Sequence, residues 1–402
     1  SYGRNSYCLM MPNATFFSSW VLLTIAFLRC PVTEAFCFPK IRDLRRGRTD
    51  FSQRRRWHPV SVSATTDSKS EETPPPHSAV LCVGETLYDS LPDALFLGGA
   101  PTNVAVHLSS LGVPTAVASC VGNDQLGQEA IRRIGARGVD TSLIQRHSEF
   151  STGMVIATID EVGDAKYEFD TPAAWDGLAL TDELREAVEN AKVIVIGTIA
   201  CRLGSSGDAI ATSAETISTI RNLARYDTVV MDVNLRPPWY EAGDVLALCR
   251  GKEDTVGGAK ELALLKLNDE ELPVVESWCG INSNDNEALC GENLKRRMAA
   301  LGSALNACRV CVTRGADGAA LWCRDCDDGE EAFVENTGYT CESEPGSDTV
   351  GAGDSFLAAL TRSLLLKNEP AEKALDRACA LGGFVACCRG AVPDHENAPY
   401  EL

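Results

Sequence analysis

The chain has 402 residues, of which 45% are hydrophobic and 6% aromatic, and its formal net charge at pH 7 is −19. Residues 1–66 carry 10 Lys/Arg and 3 Asp/Glu, so residues 67–402 carry 27 Lys/Arg and 53 Asp/Glu. Such an acidic body argues against binding to nucleic acid or to an anionic membrane surface, so we expect no nucleic-acid partner and no stable membrane association.

The first 78 residues are predicted to be a targeting region. Residues 16–28 form an apolar run of 13 residues, which is too short to cross a membrane but suits the core of a signal peptide ending near Ala35. Residues 36–66 are rich in Arg, Ser and Thr, as in a transit peptide, and a Pro-rich linker follows up to residue 78.

This region is therefore divided into a signal peptide over 1–35, with or without an upstream extension, and a transit peptide with linker over 36–78. The combination resembles the two-part presequences of algae with secondary plastids. We expect plastid localisation, and secretion or a cytoplasmic location are the alternatives.

From residue 79 to residue 402, β-rich runs alternate with amphipathic stretches. The predicted strands are 80–84, 116–121, 193–197, 229–233, 264–267 and 310–313. The predicted helices between them include 102–111, 127–137, 206–225 and 293–306. This alternation predicts an α/β domain with a doubly wound, mostly parallel sheet, whose ligands bind at the carboxyl ends of the strands.

One segment interrupts the alternation. Residues 153–160 and 165–169 read as two antiparallel strands joined by a short turn. Such a hairpin could form a small β lid over the site.

A glycine-rich turn at 348–354 (DTVGAGD) leads into a predicted helix at 355–366. Gly351, Ala352 and Gly353 let backbone N–H groups converge beside a helix N-terminus, which suits a phosphate or a transferring phosphoryl group. Asp354 could then accept the proton of an attacking hydroxyl. These residues alone leave open that Asp354 only caps the helix.

A second glycine-rich turn precedes the predicted helix 102–111. Gly98 and Gly99 permit close approach of a ligand, and Asn103 can both donate and accept hydrogen bonds, which suits sugar hydroxyls. The alternative is a tight strand–helix turn without a ligand.

Together these segments resemble the two signatures of the pfkB (ribokinase-like) family of carbohydrate kinases, at 98–112 and 348–360. Other features of the family follow in order, at 84–89 (GETLYD), 121–127 (VGNDQLG), 232–236 (DVNLR), 268–271 (NDEE), 312–318 (VTRGADG) and 389–393 (RGAVP). The resemblance spans 79–395. It implies a ribokinase-like fold with a small β lid and an ATP-dependent sugar kinase.

The resemblance also implies roles for individual residues. Asp354 would be the general base, and the amides of Gly351, Ala352 and Gly353 would form the anion hole. The residues implied in sugar binding are Asp89, Gly98, Gly99, Asn103, Asp232, Asn234 and Arg236. Those implied in ATP binding are Asn268, Thr313, Gly315 and Gly318. Glu271 would hold Mg²⁺ through water, and Asp348 is the matching position for a monovalent cation such as K⁺.

The chain departs from many relatives beside the first signature. Only eight residues lie between Asp89 and Gly98, where relatives carry a longer β insertion. We therefore predict a lid reduced to the 153–169 hairpin, and either a monomer or a homodimer. Trp175 and Asp176 could lie at the mouth of the site or serve only in packing.

The 17 cysteines are interpreted as free and mostly buried, because many lie within apolar runs such as 386–388. Cys308 and Cys311 have zinc-ribbon spacing but fall on a core strand, which disfavours a metal site. Cys323 and Cys326 could form a redox-sensitive pair in a hairpin.

The form of the first signature is more similar to fructokinases than to other family members. We therefore expect phosphorylation of fructose at its primary hydroxyl to give fructose 6-phosphate, with Mg-ATP as donor. The alternatives are another acceptor (ribose, adenosine or 2-keto-3-deoxygluconate) and a non-catalytic, fructokinase-like plastid scaffold protein.

Overall fold

The computed structural model describes residues 78–90, 94–159, 165–202, 212–225, 227–251, 253–254, 258–282, 289–324, 331–339, 342–343, 347 and 349–398. Residues 1–77 of the predicted targeting region, Cys326 and Asp348 lie outside the described residues. None of the helices described is long and apolar enough to span a membrane.

The described strands form a large sheet, a small sheet and one minor ribbon. In chain order they are β1 (Val80–Val83), β2 (Leu87–Ser90), β3 (Leu95–Gly98), β4 (Thr115–Gly122), β5 (Ile144–His147), β6 (Gly153–Ile159), β7 (Ala165–Phe169), β8 (Val193–Gly197), β9 (Val229–Asp232), β10 (Glu253–Asp254), β11 (Gly258–Ala259), β12 (Leu262–Asn268), β13 (Arg309–Thr313), β14 (Ala319–Cys323) and β15 (Ala332–Asn336). All six strands predicted from the sequence are confirmed, as β1, β4, β8, β9, β12 and β13.

The described α-helices follow the strands and cover the large sheet. They are α1 (Ala100–Ser110), α2 (Gln125–Ala136), α3 (Asp182–Asn190), α4 (Ser213–Leu223), α5 (Ala242–Arg250), α6 (Glu271–Trp278), α7 (Gly291–Leu305), α8 (Ala352–Leu360) and α9 (Ala371–Ala386). The predicted helix 206–225 is confirmed as α4 over Ser213–Leu223, and residues 206–211 lie outside the described residues. The predicted helix 355–366 is α8 followed by a π-helical segment, Thr361–Leu366.

The large sheet has the strand order β15-β14-β13-β12-β9-β8-β1-β4-β5. From β5 to β13 neighbouring strands are parallel, and β14 and β15 extend the sheet as antiparallel strands. The chain first builds outward from β1 to β5 and then returns to β8, so the strand order reverses beside β1. This confirms the doubly wound, mostly parallel sheet and places the expected ligand site at the carboxyl ends of β1, β8 and β9.

The strands of the large sheet are buried on both faces. In β1, Val80 and Cys82 pack into one hydrophobic cluster, while Leu81 and Val83 pack into the cluster on the opposite face. Continuous apolar runs are therefore required in these strands, because helices cover both sides of a parallel sheet.

The small sheet is the lid, with the order β3-β2-β6-β7. The predicted hairpin at 153–169 is confirmed as the antiparallel pair β6–β7. The prediction of a lid reduced to this hairpin is wrong, because β2 pairs with both β3 and β6. Strands of four residues are enough here: the short segment between Asp89 and Gly98 supplies the end of β2 and most of β3.

Trp175 and Asp176 serve in packing. Both are buried, and the guanidinium of Arg202 lies 3.9 Å from the centroid of the Trp175 ring and 2.7 Å from a carboxylate oxygen of Asp176. They hold the segment after β7 against the large sheet.

Most described cysteines are free, as predicted, but Cys387 is disulfide-bonded, which corrects the interpretation of 386–388. Cys311 is buried in the core, whereas Cys308 lies beside β13 with its Sγ 3.3 Å from Asp227 Oδ1. Because Cys326 lies outside the described residues, the redox pair with Cys323 stays a prediction.

Candidate active site

A cavity of about 510 Å³ lies where the carboxyl ends of the central strands meet the lid. The loops after β1, β8 and β9, the start of α1 and the turn before α8 line it, and β2, β6 and β7 of the lid also contribute. The predicted site residues that it brings together are Asp89, Gly99, Asn103, Asn234, Arg236, Gly351, Gly353 and Asp354.

Asp354 lies in the first turn of α8 and faces this cavity. Asn103 Nδ2, from the first turn of α1, donates to Asp354 Oδ2 at 2.8 Å. The cap position of α8 is occupied by Gly351, and no side-chain cap hydrogen bond is made there. The carboxylate is therefore directed toward the predicted sugar-binding turn and not toward the backbone of its own helix.

Burial raises the pKa of Asp354 to about 6. The hydrogen bond from Asn103 and the positive charges of Lys266 and Arg236 oppose this shift, while the carboxylate of Asp232 adds to it. A carboxylate with a pKa near 6 is ionised at neutral pH and is a better proton acceptor than an ordinary aspartate.

The turn before α8 is shaped by two glycines. Gly351 has φ +79°, and a Cβ there would lie 2.4 Å from the carbonyl oxygen of Ala391, so no other residue fits without displacing that segment. Ser355 N–H donates to the carbonyl of Gly351, and Ala352 N–H donates to that of Thr349 at 3.3 Å. Because the first N–H groups of a helix have no intrahelical acceptor, the amides of Gly353 and Asp354 are the strongest candidates for an anion.

Lys266, which sequence reasoning missed, supplies a positive charge under this turn. It is a buried residue of β12, and its Nζ lies 2.9 and 3.1 Å from the two carboxylate oxygens of Asp232. A Cβ on Gly353 would lie 3.4 Å from the same nitrogen. Burial lowers the pKa of Lys266, but the charges of Asp232 and Glu271 outweigh it and raise that pKa above its ordinary value, so the ammonium persists at neutral pH.

The ion pair with Lys266 places Asp232, a predicted sugar-binding residue, outside the lining of the cavity. Both carboxylate oxygens of Asp232 bind Lys266, and Asp232 does not line the cavity. Gly98 also lies outside the lining, but a Cβ there would lie 2.5 Å from Asp89 Oδ2, so this glycine gives room to the Asp89 carboxylate. Asn234 adopts a left-handed conformation (φ +42°), which turns the chain after β9 toward the cavity.

Glu85 is a second functional residue that the sequence reading missed. It follows the end of β1, is buried, and accepts a hydrogen bond from Ala100 N–H through Oε1 at 2.8 Å. In the part of the chain that the structure describes, its Oε2 has no partner. Burial raises the pKa of Glu85 to about 8, so the side chain is mainly protonated at pH 7 and can donate a hydrogen bond.

Asn268 and Glu271 form a reciprocal pair at the end of β12. Glu271 N–H donates to Asn268 Oδ1 at 2.8 Å, and Asn268 N–H donates to Glu271 Oε2 at 2.9 Å. The other carboxylate oxygen of Glu271 accepts from Leu235 N–H at 2.7 Å. The motif therefore fixes the loop after β9 to β12, and it leaves only remaining lone pairs of these oxygens for a metal ion or its waters.

The predicted nucleotide residues lie one strand further along. Thr313 pairs with Asn268 in the parallel register of β12 and β13. The following turn contains Gly315 and Gly318, both with positive φ, and a Cβ on Gly318 would meet the carbonyl of Asn336 at 2.1 Å. These residues adjoin Asn268 and stand outside the 510 Å³ cavity.

Comparisons with known proteins identify the family of the chain. The chain matches the model of the pfkB family of carbohydrate kinases over residues 94–398. A fructokinase of Rhizobium leguminosarum bv. trifolii is 26% identical over 303 residues, which covers 72% of this chain and 80% of that protein.

Solved structures show the same ribokinase-like fold. A fructokinase from Xylella fastidiosa with bound ATP has a TM-score of 0.60 at 21% identity, covering 78% of this chain and 94% of that one. A double mutant of fructokinase from Vibrio cholerae O395, with fructose, ADP and potassium ion bound, has a TM-score of 0.57 at 21% identity, covering 79% and 95%. The chain therefore belongs to the pfkB family of carbohydrate kinases and is a phosphotransferase that acts on a sugar.

Proposed function

We propose that the chain transfers the γ-phosphoryl group of ATP to a primary hydroxyl of fructose, giving fructose 6-phosphate. The observation that carries this proposal is the position of Asp354, whose carboxylate faces the cavity beside Asn103 and the glycine turn of α8. The form of the first signature and the similarity to fructokinases support fructose as the acceptor.

The proton of the acceptor hydroxyl passes to Asp354. Since Asn103 holds Oδ2, the other oxygen, Oδ1, is the acceptor of that proton; it has no hydrogen-bond partner among the described residues. As the proton leaves, the sugar oxygen forms a bond to the γ-phosphorus and the bond from this phosphorus to the bridging oxygen breaks, releasing ADP.

The first turn of α8 stabilises the negative charge on the transferring phosphoryl group. The amides of Gly353 and Asp354 lie in the first turn of α8, and a Cβ on Gly353 would lie 3.4 Å from the Lys266 ammonium. Fixed donors and a buried cation at this position stabilise the transition state without reorganising solvent.

The sugar is held by other groups of the same cavity. Its hydroxyls can donate to the Asp89 carboxylate on the lid strand β2, and they can accept from the protonated Glu85. The amide of Asn103 on α1 can both donate and accept. Placing the lid, the helix and the central sheet around one ligand aligns its primary hydroxyl with Asp354.

Magnesium fits the donor set at the end of β12. The oxygens of Asn268 and Glu271 are hard ligands, and the two backbone amides that bind Glu271 fix its carboxylate in place. We propose that these residues hold waters of a Mg²⁺ ion that neutralises the ATP phosphates. Potassium is proposed as a further cofactor on the resemblance of the 348–354 turn, with Asp348 outside the described residues.

The acceptor is tested by assaying the full-length protein with Mg-ATP against fructose, ribose, adenosine and 2-keto-3-deoxygluconate. Fructose is expected to give the highest kcat/KM, with fructose 6-phosphate as product. Faster turnover of another acceptor would contradict the choice of sugar. Absence of turnover with all four, in a protein that binds ATP, would favour the scaffold alternative.

We also propose a plastid location for this protein, on the composition of residues 1–78. A fluorescent protein carrying residues 10–78 at its N-terminus, expressed in an alga with a secondary plastid, is expected to accumulate in the plastid. A matched fusion carrying residues 36–78 lacks the signal-peptide core and should stay in the cytosol. Secretion of the longer fusion would contradict the proposal.

A further inference from the structure

A second cavity, of about 360 Å³, lies outside the active site. Four parts of the chain line it: the C-terminal half of α2, the lid strand β3, residues 389–392 after α9, and Val106 of α1. Its volume falls at the lower end of the range of small-molecule sites, about 300–1,000 Å³.

The cavity is basic although the folded part of the chain is strongly acidic. Four arginines line it and no acidic residue does: Arg132, Arg133, Arg137 and Arg389. Glu129 alone serves both Arg132 and Arg133, each at 2.7 Å, which leaves a surplus of positive charge. Side chains with 66% and 48% exposure can turn toward a ligand at little cost.

Arg137 has a different part in the cavity. Its guanidinium is 2.6 Å from Asp394 Oδ1 and donates to the carbonyl of Val392 at 2.9 Å. It therefore fixes the segment that forms one wall, and Arg132 and Arg133 on the exposed rim are the candidates for binding an anion.

The inner wall is apolar and includes Phe96, Leu97, Val106 and Ile134. The guanidinium of Arg389 lies 5.5 Å from the centroid of the Phe96 ring, so charge and apolar surface adjoin. Guanidinium groups bind phosphate oxygens in pairs, and the apolar wall has more room than a bare ion needs. We propose that this cavity binds a small organic phosphate, a phosphorylated metabolite whose carbon skeleton lies against the apolar wall.

Two walls of this cavity contact parts of the active site. Ala391 packs against Gly351 of the turn before α8, residues 349–353, which we call the anion turn. The carbonyl oxygen of Ala391 is 2.9 Å from His107 Nε2. On the lid side, Phe96 lies opposite Asp89 in the β2–β3 pair. A ligand that wedges between β3 and residues 389–392 therefore changes the position of both the lid and the anion turn, so the site is regulatory.

The test is calorimetric titration of the full-length protein, saturated with Mg-ADP, with phosphoenolpyruvate, 3-phosphoglycerate and inorganic phosphate. At least one organic phosphate is expected to bind, and the Arg132→Ala/Arg133→Ala variant should weaken it by about tenfold or more. Arg146→Ala, which removes an exposed arginine outside both cavities, is the matched control and should bind normally.

A second variant fills the cavity without removing charge. Ala136 is exposed on α2 and lines the cavity, so Ala136→Phe should abolish binding and leave basal sugar kinase activity unchanged. In the wild type, the bound organic phosphate is expected to shift the KM for the sugar by about fivefold or more, and both variants should lose this shift.

Equal affinity in the wild type and the double arginine variant would overturn the proposal, and so would the absence of binding by both organic phosphates. Equal affinity for inorganic phosphate would overturn the role of the apolar wall. Binding is measured without turnover, so these outcomes stay separate from those of the acceptor assay.

Discussion

Replacement of Asp354 by Asn is expected to lower kcat by a factor of about 10³, because the amide cannot accept the proton of the sugar hydroxyl. The substitution keeps the shape of the side chain, and its oxygen can still accept from Asn103 Nδ2. The dissociation constant of ATP should therefore change little. Steady-state kinetics and equilibrium nucleotide binding on the same preparation measure the two effects.

The same variant makes a prediction about stability. Burial raises the pKa of Asp354 from 3.8 to about 6, so the folded state binds the proton more tightly than the unfolded chain. Ionisation of Asp354 therefore lowers stability at pH 7, and this loss disappears as the pH falls below the unfolded pKa. Asp354→Asn should raise the free energy of unfolding at pH 7 by about 1–2 kcal/mol.

Lowering the pH should increase the stability contributed by Asp354 but decrease the rate. The wild-type kcat should fall as the pH is lowered through about 6, because the base becomes protonated. Asp182→Asn is the control, since Asp182 also lies in the first turn of a helix but is exposed. Near-wild-type kcat in Asp354→Asn would contradict the role of this residue as the base.

Replacement of Lys266 by Met is expected to affect both folding and catalysis. It leaves the carboxylate of Asp232 buried without its partner, which should cost about 3–5 kcal/mol of unfolding free energy. It also removes the cation beneath the anion turn, which should lower kcat by a factor of about 10² or more. Urea unfolding and steady-state kinetics measure the two losses separately.

A double variant separates the two roles of Lys266. In Lys266→Met/Asp232→Leu no buried charge remains unpaired, so much of the lost stability should return while kcat stays low. Lys260→Met is a matched control, because Lys260 lies at the opposite end of β12 and donates to the carbonyls of Asn222 and Ala224. Recovery of kcat in the double variant would show that Lys266 acts on stability alone.

Sequence reasoning predicted the sheet well because its strands are buried on both faces. Runs such as β8 and β13 are short, mostly apolar and flanked by amphipathic helices. This pattern can be recognised in the sequence without knowledge of the tertiary structure. The lid strands β2 and β3 were missed since four residues are too few for a periodicity. Their structure depends on pairing with β6, which is distant in sequence.

Sequence reasoning predicted the glycine-rich turns of the candidate site better than it predicted the charged side chains. The spacing of the glycines at 98–99 and 351–353 is enough to predict two tight turns. Lys266, in contrast, was interpreted only as part of an apolar strand. A single lysine among leucines in a buried strand is a usable signal, because such a charge must find a partner. Glu85 has a similar signal, a lone acid directly after the first strand.

The resemblance to the family indicated which residues belong to the site but not which groups those residues contact. Asp232 and Glu271 were carried over as ligand-binding groups, yet the first pairs with Lys266 and the second accepts from two backbone amides. Which oxygen a carboxylate offers to a ligand depends on neighbours from other strands. Sequence alone does not contain that information.

The hydrogen bond between Asn103 and Asp354 joins residues that are 251 positions apart in the sequence. Asn103 lies on α1, which follows the first strand of the large sheet, whereas Asp354 lies on α8, which follows the last strand of that sheet. Closing a contact of such separation costs more chain entropy than closing a local one, so contacts of this kind slow folding. A chain cut between α1 and α8 would keep Asn103 and lose Asp354, so the proposed phosphoryl transfer requires these two distant parts of the sequence to fold together as one unit.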